Sequence, residues 1–402
     1  MKNRIVITLF AISVLFATGC REISGHQEYL RKVLDKLESI ESATYYMVSE
    51  GWQPGDTSPA VIDVRRYFEY LNIADTTIGA GFVSFEKDDT TLISSIYDGN
   101  MLASFFHEHY GVLIDSFKVW SQPFRPVNPP FYSYVASILK YALETGDSIV
   151  ISFEDSPDTL FLSLVIHEER QVEFFGKAYN MPENPYNTGE PTSRYQIWID
   201  KTVDLPFRVR REMSHNISVR AVREVELNNL SIDEFKAADM FPPSYEIREY
   251  IRGQKATAAV RQEGRVAPDW VLEDAEGASI ALNDLQSKVL LLNFTGIGCG
   301  PCQASIPFLK ELVDDLHDSD FDLIAIETWA RRGESLKNYS ARNGLNYTLL
   351  IATDEVVKQY ETNNSVPVFF ILDQQRIIRK VIRGYSPATT GKEIRQAIAE
   401  IL

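Results

Sequence analysis

Apolar and polar positions change rhythm several times along this chain. From Ile5 to Ala17 thirteen residues are apolar or small without interruption. In "HQEYLRKVLDKLESIES", residues 26–42, Leu30, Val33, Leu34, Leu37 and Ile40 recur at helical spacing and predict an amphipathic helix. The texture then turns to β. "ATYYMVSEGW", "AVIDVRRYFEYL", "AGFVSFEK" and the run from "TTLISSIYDGN" to "GVLIDSF" are rich in β-branched and aromatic residues, with turns such as Asp98-Gly99 between them. A helix is expected at about Tyr132 to Leu143. Further strands follow in "DSIVISFED", "TLFLSLVIHEERQVEFFGKAY", "SRYQIWIDKTVDLPFRVRREM" and "SVRAVREVELNNL". One helix, then a long antiparallel meander with one helical crossing, predicts a large curved sheet wrapped on helices.

The stretch "YIRGQKATAAVRQEGR", from Tyr250 to Arg265, is small, charged and aperiodic, and reads as a linker. Beyond it strands and helices alternate. "VLLLNF" is apolar enough for a parallel strand buried on both faces, and a helix is expected to begin at Cys299. "FDLIAIETW", "GESLKNYSARNG", "NYTLLIA" and "EVVKQYET" predict strand, helix, strand and helix in turn. "VPVFFILD" and "RIIRKVIRG" then form a hairpin through "DQQR", and a last helix spans Gly391 to Leu402.

At 402 residues two or three domains are expected, and 45% apolar with 24% charged residues describes a globular chain. The net charge of -16 argues against nucleic acid or an anionic lipid surface as a partner. Lys2 and Arg4 precede the opening apolar run, which is too short to span a bilayer of about twenty residues but suits an export signal. The run ends in Ala17-Thr18-Gly19-Cys20, which resembles a bacterial lipobox, although Ala17 stands where leucine is commoner. The resemblance implies a lipid on Cys20 and a membrane-anchored, exported protein in the bacterial cell envelope, facing the periplasm. An ordinary signal peptide with an incidental cysteine is the competing reading.

Export changes what the remaining cysteines can do. With Cys20 lipidated, Cys299 and Cys302 are the only other thiols, in an oxidising compartment, and pair with each other or with another protein. A thiol must ionise to attack a disulfide, and the positive end of a helix dipole favours the thiolate. In "NFTGIGCGPCQASIP" a buried strand, a glycine-rich turn and a helix start follow in order. Cys299 is expected at the helix N-terminus with an exposed sulfur, and Cys302 one turn deeper and shielded. Pro301 suits the first turn, where a missing N–H costs nothing. Cys299 is therefore expected to attack and Cys302 to resolve. Pro367, at the mouth of an apolar strand, is tolerated if the Val366–Pro367 bond is cis and faces the site. The backbone there would pair with an extended substrate chain.

These elements resemble the TlpA/ResA group of exported, membrane-tethered thioredoxin-fold thiol–disulfide oxidoreductases. "APDWVLEDAEG", "LLLNF", "CGPC", "IPFLKEL" and "SVPVFFILDQQRII" fall in the group's order over about residues 265–402. The 65 positions between Cys302 and Pro367 leave room for the strand and helix this group inserts. The resemblance implies an α/β thioredoxin-like domain without a cofactor. Its partners would be disulfide-bearing exported proteins and an unidentified membrane electron donor. The Gly-Pro pair matches thioredoxin and implies the reducing direction. Two positions depart from the pattern: Gly298 where tryptophan is usual and Ser305 where many members carry glutamate. Asn293 replaces the aspartate of thioredoxin, as is common in this group. Without those carboxylates, Glu327, the first charge after "FDLIAI", or water is the candidate proton acceptor for Cys302.

In the N-terminal part, "YDGNMLASFF", "YQIWIDKTVDLPFRVRREM" and "LSIDEFKAADMFPP" resemble the LolA-like half-barrel family, which implies a large curved antiparallel sheet with a concave apolar face. The expected organisation is a signal peptide over 1–19, a lipidated tether over 20–25, an α+β domain over 26–249, a linker over 250–264 and the thioredoxin-like domain over 265–402. An alternative function is a lipoprotein that binds a lipophilic ligand or a protein, with the redox domain as a sensor.

Other chemistries have less support. Zinc needs a second ligand pair, haem attachment needs histidine where Gln303 stands, and a two-residue loop is a poor structural staple. His107 and His109 are expected to share a strand face, but no third ligand is apparent, so no metal is called for. The glycine spacing of "GYSPATTGKE" is wrong for a phosphate loop, and no Gly-x-Ser-x-Gly elbow is present.

Overall fold

The computed structural model describes residues 25–87, 89, 91–118, 127–182, 190–229, 236–250, 262–329, 333–362 and 365–402. The expected export signal, Cys20 and most of the expected linker lie outside the described residues. Among those described, no helix is long and apolar enough to cross a membrane.

The helical stripe near the start forms a helix over residues 25–38. Leu30, Val33, Leu34 and Leu37 are buried against the second helix, Phe131–Glu144, and against the sheet. That sheet has twelve strands and does not close. Its centre is the hairpin of Ser42–Trp52 and Val61–Leu71, in continuous register from Ser42↔Tyr70 to Gly51↔Val61. On one side follow Ala80–Phe85, Ile93–Tyr97, Leu102–Phe106, Gly111–Asp115 and Glu246–Glu249; on the other, Ile217–Leu227, Leu205–Glu212, Ser193–Asp200, Thr159–Ile166 and Ile149–Asp155. Every pairing is antiparallel except that of Glu246–Glu249 with Gly111–Asp115. Alternation explains which face is covered: Tyr195, Ile197 and Ile199 of one strand are fully buried under the helices, with more open residues between them.

The run after Thr159 divides: Thr159–Ile166 joins the large sheet, while Val172–Phe174 and Ala178–Asn180 leave it and pair as a small hairpin. One local expectation fails. His107 and His109 lie in a single 3-10 turn rather than on a strand, and His107 is held by the Tyr245 hydroxyl and the Ile93 carbonyl, each at 2.7 Å. Among the described residues, no group of three or more potential ligands is placed to hold a metal.

The C-terminal part has the thioredoxin-like α/β fold that the sequence implies. A seven-stranded sheet runs Ser279–Ala281, Val271–Asp274, Thr348–Ile351, Phe321–Glu327, Val289–Thr295, Val368–Leu372 and Ile378–Arg383. Val289–Thr295, Phe321–Glu327 and Thr348–Ile351 are mutually parallel, and the outer pairings are antiparallel. All seven residues of Val289–Thr295 are buried, as expected of a strand covered on both faces. Helices Gly300–Asp315 and Thr390–Ala399 cover one face through Leu309, Leu312, Ile394 and Ile398. Trp270, Val356 and Tyr360 pack on the other. Truncating a central leucine such as Leu292 to alanine would cost about 2–5 kcal/mol.

Candidate active site

The buried strand Val289–Thr295 ends at the active-site edge, and the turn Gly296-Ile297-Gly298 leads into the helix Gly300–Asp315. Cys299 is the N-cap of that helix, and its sulfur lies 3.2 Å from the backbone nitrogen of Cys302, which points at it as a capping donor. The backbone N–H groups of the first turn therefore face the sulfur, the arrangement that stabilises a thiolate once the pair is reduced. Pro301 falls where no N–H is needed. Cys299 and Cys302 are joined as a disulfide, with Cα atoms 5.2 Å apart.

Cys302 is 1% exposed, and Cys299 is only 7% exposed. The sequence reading expects an open Cys299 sulfur; tertiary packing covers it. One neighbour is the Val366 carbonyl oxygen, 3.8 Å from Cys299 Sγ. The Val366–Pro367 peptide is cis, and the Pro367 carbonyl accepts a hydrogen bond from Gly384 N at 2.8 Å. Two segments 67 positions apart in sequence thus meet at the sulfur.

The two departures from the family pattern, and Asn293, have distinct structural outcomes. Ser305 is fully buried, and its hydroxyl turns back to donate to the Cys302 carbonyl at 2.7 Å. Asn293 is 2% exposed, and its Oδ1 has no hydrogen-bond partner. Gly298 has φ +95°, a conformation that favours glycine and disfavours a tryptophan at this position. An indole nevertheless lies beside the turn. A Cβ on Gly296 would come within 2.7 Å of the Trp329 ring, so glycine there is what lets Trp329 lie against the backbone.

Glu327 is 0% exposed, not a solvated strand end. Its carboxylate accepts from Ile297 N at 3.2 Å and from Trp329 N at 3.0 Å, tying the turn before Cys299 to the end of the adjacent strand. Register puts Glu327 opposite Thr295 and Ala325 opposite Asn293. Opposed residues share a sheet face, and Ala325 packs with Ile306 of the cysteine helix. Glu327 and Asn293 therefore lie on the face that this helix covers. Within the helix, Pro307 has no N–H to donate to the Gln303 carbonyl, so one ladder bond is missing from an otherwise continuous helix.

Sequence reasoning missed the contribution of the N-terminal region. Gln53, in the loop between Ser42–Trp52 and Val61–Leu71, is 2% exposed, and its Nε2 would be 3.7 Å from a Cβ on Gly298. Nothing in "WQPGDTSPA" beyond turn-forming residues signals this contact.

Residues 264–381 match the AhpC/TSA family. The chain is 30% identical over 152 residues to the thiol-disulfide oxidoreductase ResA of Geobacillus thermodenitrificans, covering 37% of this chain and 81% of that relative. It is 30% identical over 125 residues to ResA of Bacillus subtilis, covering 30% of this chain and 68% of that one. Among solved structures, a thiol:disulfide interchange protein of the thioredoxin family from Chlorobium tepidum aligns at 20% identity and a TM-score of 0.31, covering 36% of this chain and 99% of that one.

Proposed function

The chain belongs to the ResA family of thiol-disulfide oxidoreductases, and from that premise we propose that it is a lipid-anchored, exported enzyme that reduces disulfides of other exported proteins through Cys299 and Cys302. The observation that carries the assignment of roles is the position of Cys299: it caps the helix Gly300–Asp315, while Cys302 lies one turn within it.

In the reduced enzyme the Cys299 thiolate attacks one sulfur of a substrate disulfide. A Cys299–substrate bond forms as the substrate S–S bond breaks, and the other substrate sulfur leaves with the electron pair as a thiolate. Cys302 then gives up its proton and attacks Cys299 Sγ. The enzyme disulfide forms, the second substrate thiolate leaves, and two electrons have passed to the substrate. The Val366 and Pro367 backbone lies beside the sulfur and suits pairing with an extended substrate segment. Glu327 or water takes the Cys302 proton; the burial of Glu327 on the sheet face that the cysteine helix covers supports its candidacy. A membrane electron donor then re-reduces the pair.

Direction follows from the Gly-Pro pair between the cysteines, as in thioredoxin, with a potential near about -270 mV. Lipidation at Cys20, with the division into an export signal over 1–19, a tether over 20–25, a domain over 26–249, a linker over 250–264 and a redox domain over 265–402, completes the proposal. The LolA-like resemblance gives the N-terminal domain its expected form.

A Cys302→Ser variant expressed in the native host tests the reading. It should accumulate mixed disulfides between Cys299 and exported proteins, released by reductant and identifiable by mass. No captured protein under conditions where Cys299 is free, or an equilibrium potential near about -120 mV, the value of a strong oxidant, would reject the reductase assignment.

A further inference from the structure

A hairpin between two eleven-residue strands needs only a short solvated tip. The tip Gln53-Pro54-Gly55-Asp56-Thr57-Ser58 is instead bound to the C-terminal region. Asp56 closes the turn by accepting from Gln53 N at 3.0 Å. The same carboxylate accepts from Ser335 Oγ at 2.9 Å and from Asn338 Nδ2 at 3.0 Å, both on helix Gly333–Asn343. Glu334 returns the exchange, accepting from Thr57 N at 3.1 Å, from the Thr57 hydroxyl, and from Ser58 Oγ at 3.3 Å. Each region thus presents one carboxylate to neutral donors of the other.

This clasp holds the tip against the turn before the dithiol. Gln53 is almost fully buried, and its amide stands beside the bare Cα of Gly298, next to Cys299. The space into which a side chain at 298 would grow is bordered by a residue of the N-terminal region. Cys299, at a helix end that the sequence alone would leave open, is 7% exposed.

We propose that the 53–58 tip is a specificity element of the dithiol, a wall that admits small disulfides and extended polypeptide segments to Cys299 and excludes disulfides set in broad folded surfaces. Gln53 is the residue at the wall; Asp56 and Glu334 are positioning residues that act through it. Substrate is selected by the width of the chain that can lie between the tip and the Val366 carbonyl. The inference rests on Cys299 being the attacking thiol.

The test compares two alkylating reagents on the reduced full-length protein: iodoacetamide, and a maleimide carrying a long polyethylene glycol chain. Modification is read on the peptide containing Cys299, which keeps Cys20 out of the signal. Asp56→Ala breaks the clasp from one side, and the double substitution Ser335→Ala, Asn338→Ala breaks it from the other. Circular dichroism checks that both fold. In both variants the bulky reagent should react about tenfold faster, the shift expected from losing two hydrogen bonds of ordinary net strength. Iodoacetamide should react at the wild-type rate. In turnover, reduction of a folded protein disulfide should rise by the same factor, with a small aromatic disulfide unaffected. Equal response to both reagents, or no response to either, overturns the proposal. Faster labelling of Cys302 than Cys299 by iodoacetamide in the wild type would instead overturn the assignment of the attacking thiol, while the ratio of the two reagents would still report on the wall.

Discussion

Glu69, in the N-terminal sheet, and Glu327, in the C-terminal sheet, are both buried strand carboxylates that accept backbone N–H groups. Glu69 accepts from Tyr132 N at 3.1 Å and Ser133 N at 2.7 Å, at the start of helix Phe131–Glu144. It also accepts from the Tyr45 hydroxyl at 2.7 Å. That helix begins after Pro130, has no side-chain cap of its own and no acid in its first turn. A strand distant in sequence therefore supplies the acceptor that its first N–H groups need. Glu327 makes similar bonds to a different target, since its donors belong to the turn before Cys299 and to the residue that carries the Trp329 indole. One carboxylate secures a helix. The other holds the turn that leads into Cys299. Burial and backbone bonding are common to both acids; what each one holds in place differs.

The largest effect should come from the dithiol itself. Cys299→Ser should lower turnover in an insulin-reduction assay by at least about 10³-fold, while the unfolding of the N-terminal region is unchanged. A shifted N-terminal transition would mean that the two regions do not behave as separate units.

Glu69→Ala should give the converse pattern. It leaves two helix N–H groups and a buried tyrosine hydroxyl without their acceptor, at a cost of about 3 kcal/mol. Urea unfolding should show the loss in the N-terminal transition, with the redox potential of the Cys299–Cys302 pair unmoved. An equal loss of activity at full folding would make Glu69 functional and erase the contrast.

Glu327→Gln should slow resolution of a preformed mixed disulfide by on the order of 10²-fold, the lower range for a lost proton acceptor. Iodoacetamide should still alkylate Cys299 at the wild-type rate. A resolution rate unchanged across about pH 6 to 9, spanning neutral thiol chemistry, would leave water as the acceptor.

The smallest effect is a pH dependence. Burial pushes the Glu69 carboxyl above the ordinary glutamate range, against the lowering by its bonds to Tyr45, Ser133 and Tyr132. A carboxyl whose folded pKa is raised contributes stability that is fully present below its unfolded pKa and lost as pH rises through the folded value. The penalty for Glu69→Ala should therefore be greatest in acid and shrink toward neutrality. Unfolding midpoints of both proteins across that range check the sign, and a penalty that grows with pH would show that hydrogen bonding outweighs burial.

Legibility in the sequence followed the distance over which each signal acts. "VLLLNF" predicted a doubly covered strand because its apolar character is continuous, and all of it is buried. The Phe131–Glu144 helix and the hairpin through "DQQR" were likewise visible, each from a periodicity or turn contained in a few residues. "FFHEHYG" has strand composition, yet His107 and His109 lie in a turn, because Tyr245 and Ile93, outside that stretch, hold His107. "QVEFFGKAY" reads as strand and is strand, yet composition could not say that it pairs with itself outside the main sheet.

Cys299, Cys302 and the strand–turn–helix that presents them were determined by the sequence itself. A buried strand, glycines and a helix-compatible Gly-Pro pair are local preferences that act within fifteen residues. Only the tertiary structure decided how open the dithiol is and what lies beside it. The Val366 carbonyl, the buried Glu327, the Trp329 indole over Gly296 and the Gln53 tip reach the site from separate strands and from two sheets. Such contacts depend on packing among elements tens to hundreds of residues apart. No local periodicity encodes them, because each segment would have the same pattern wherever its tip came to rest.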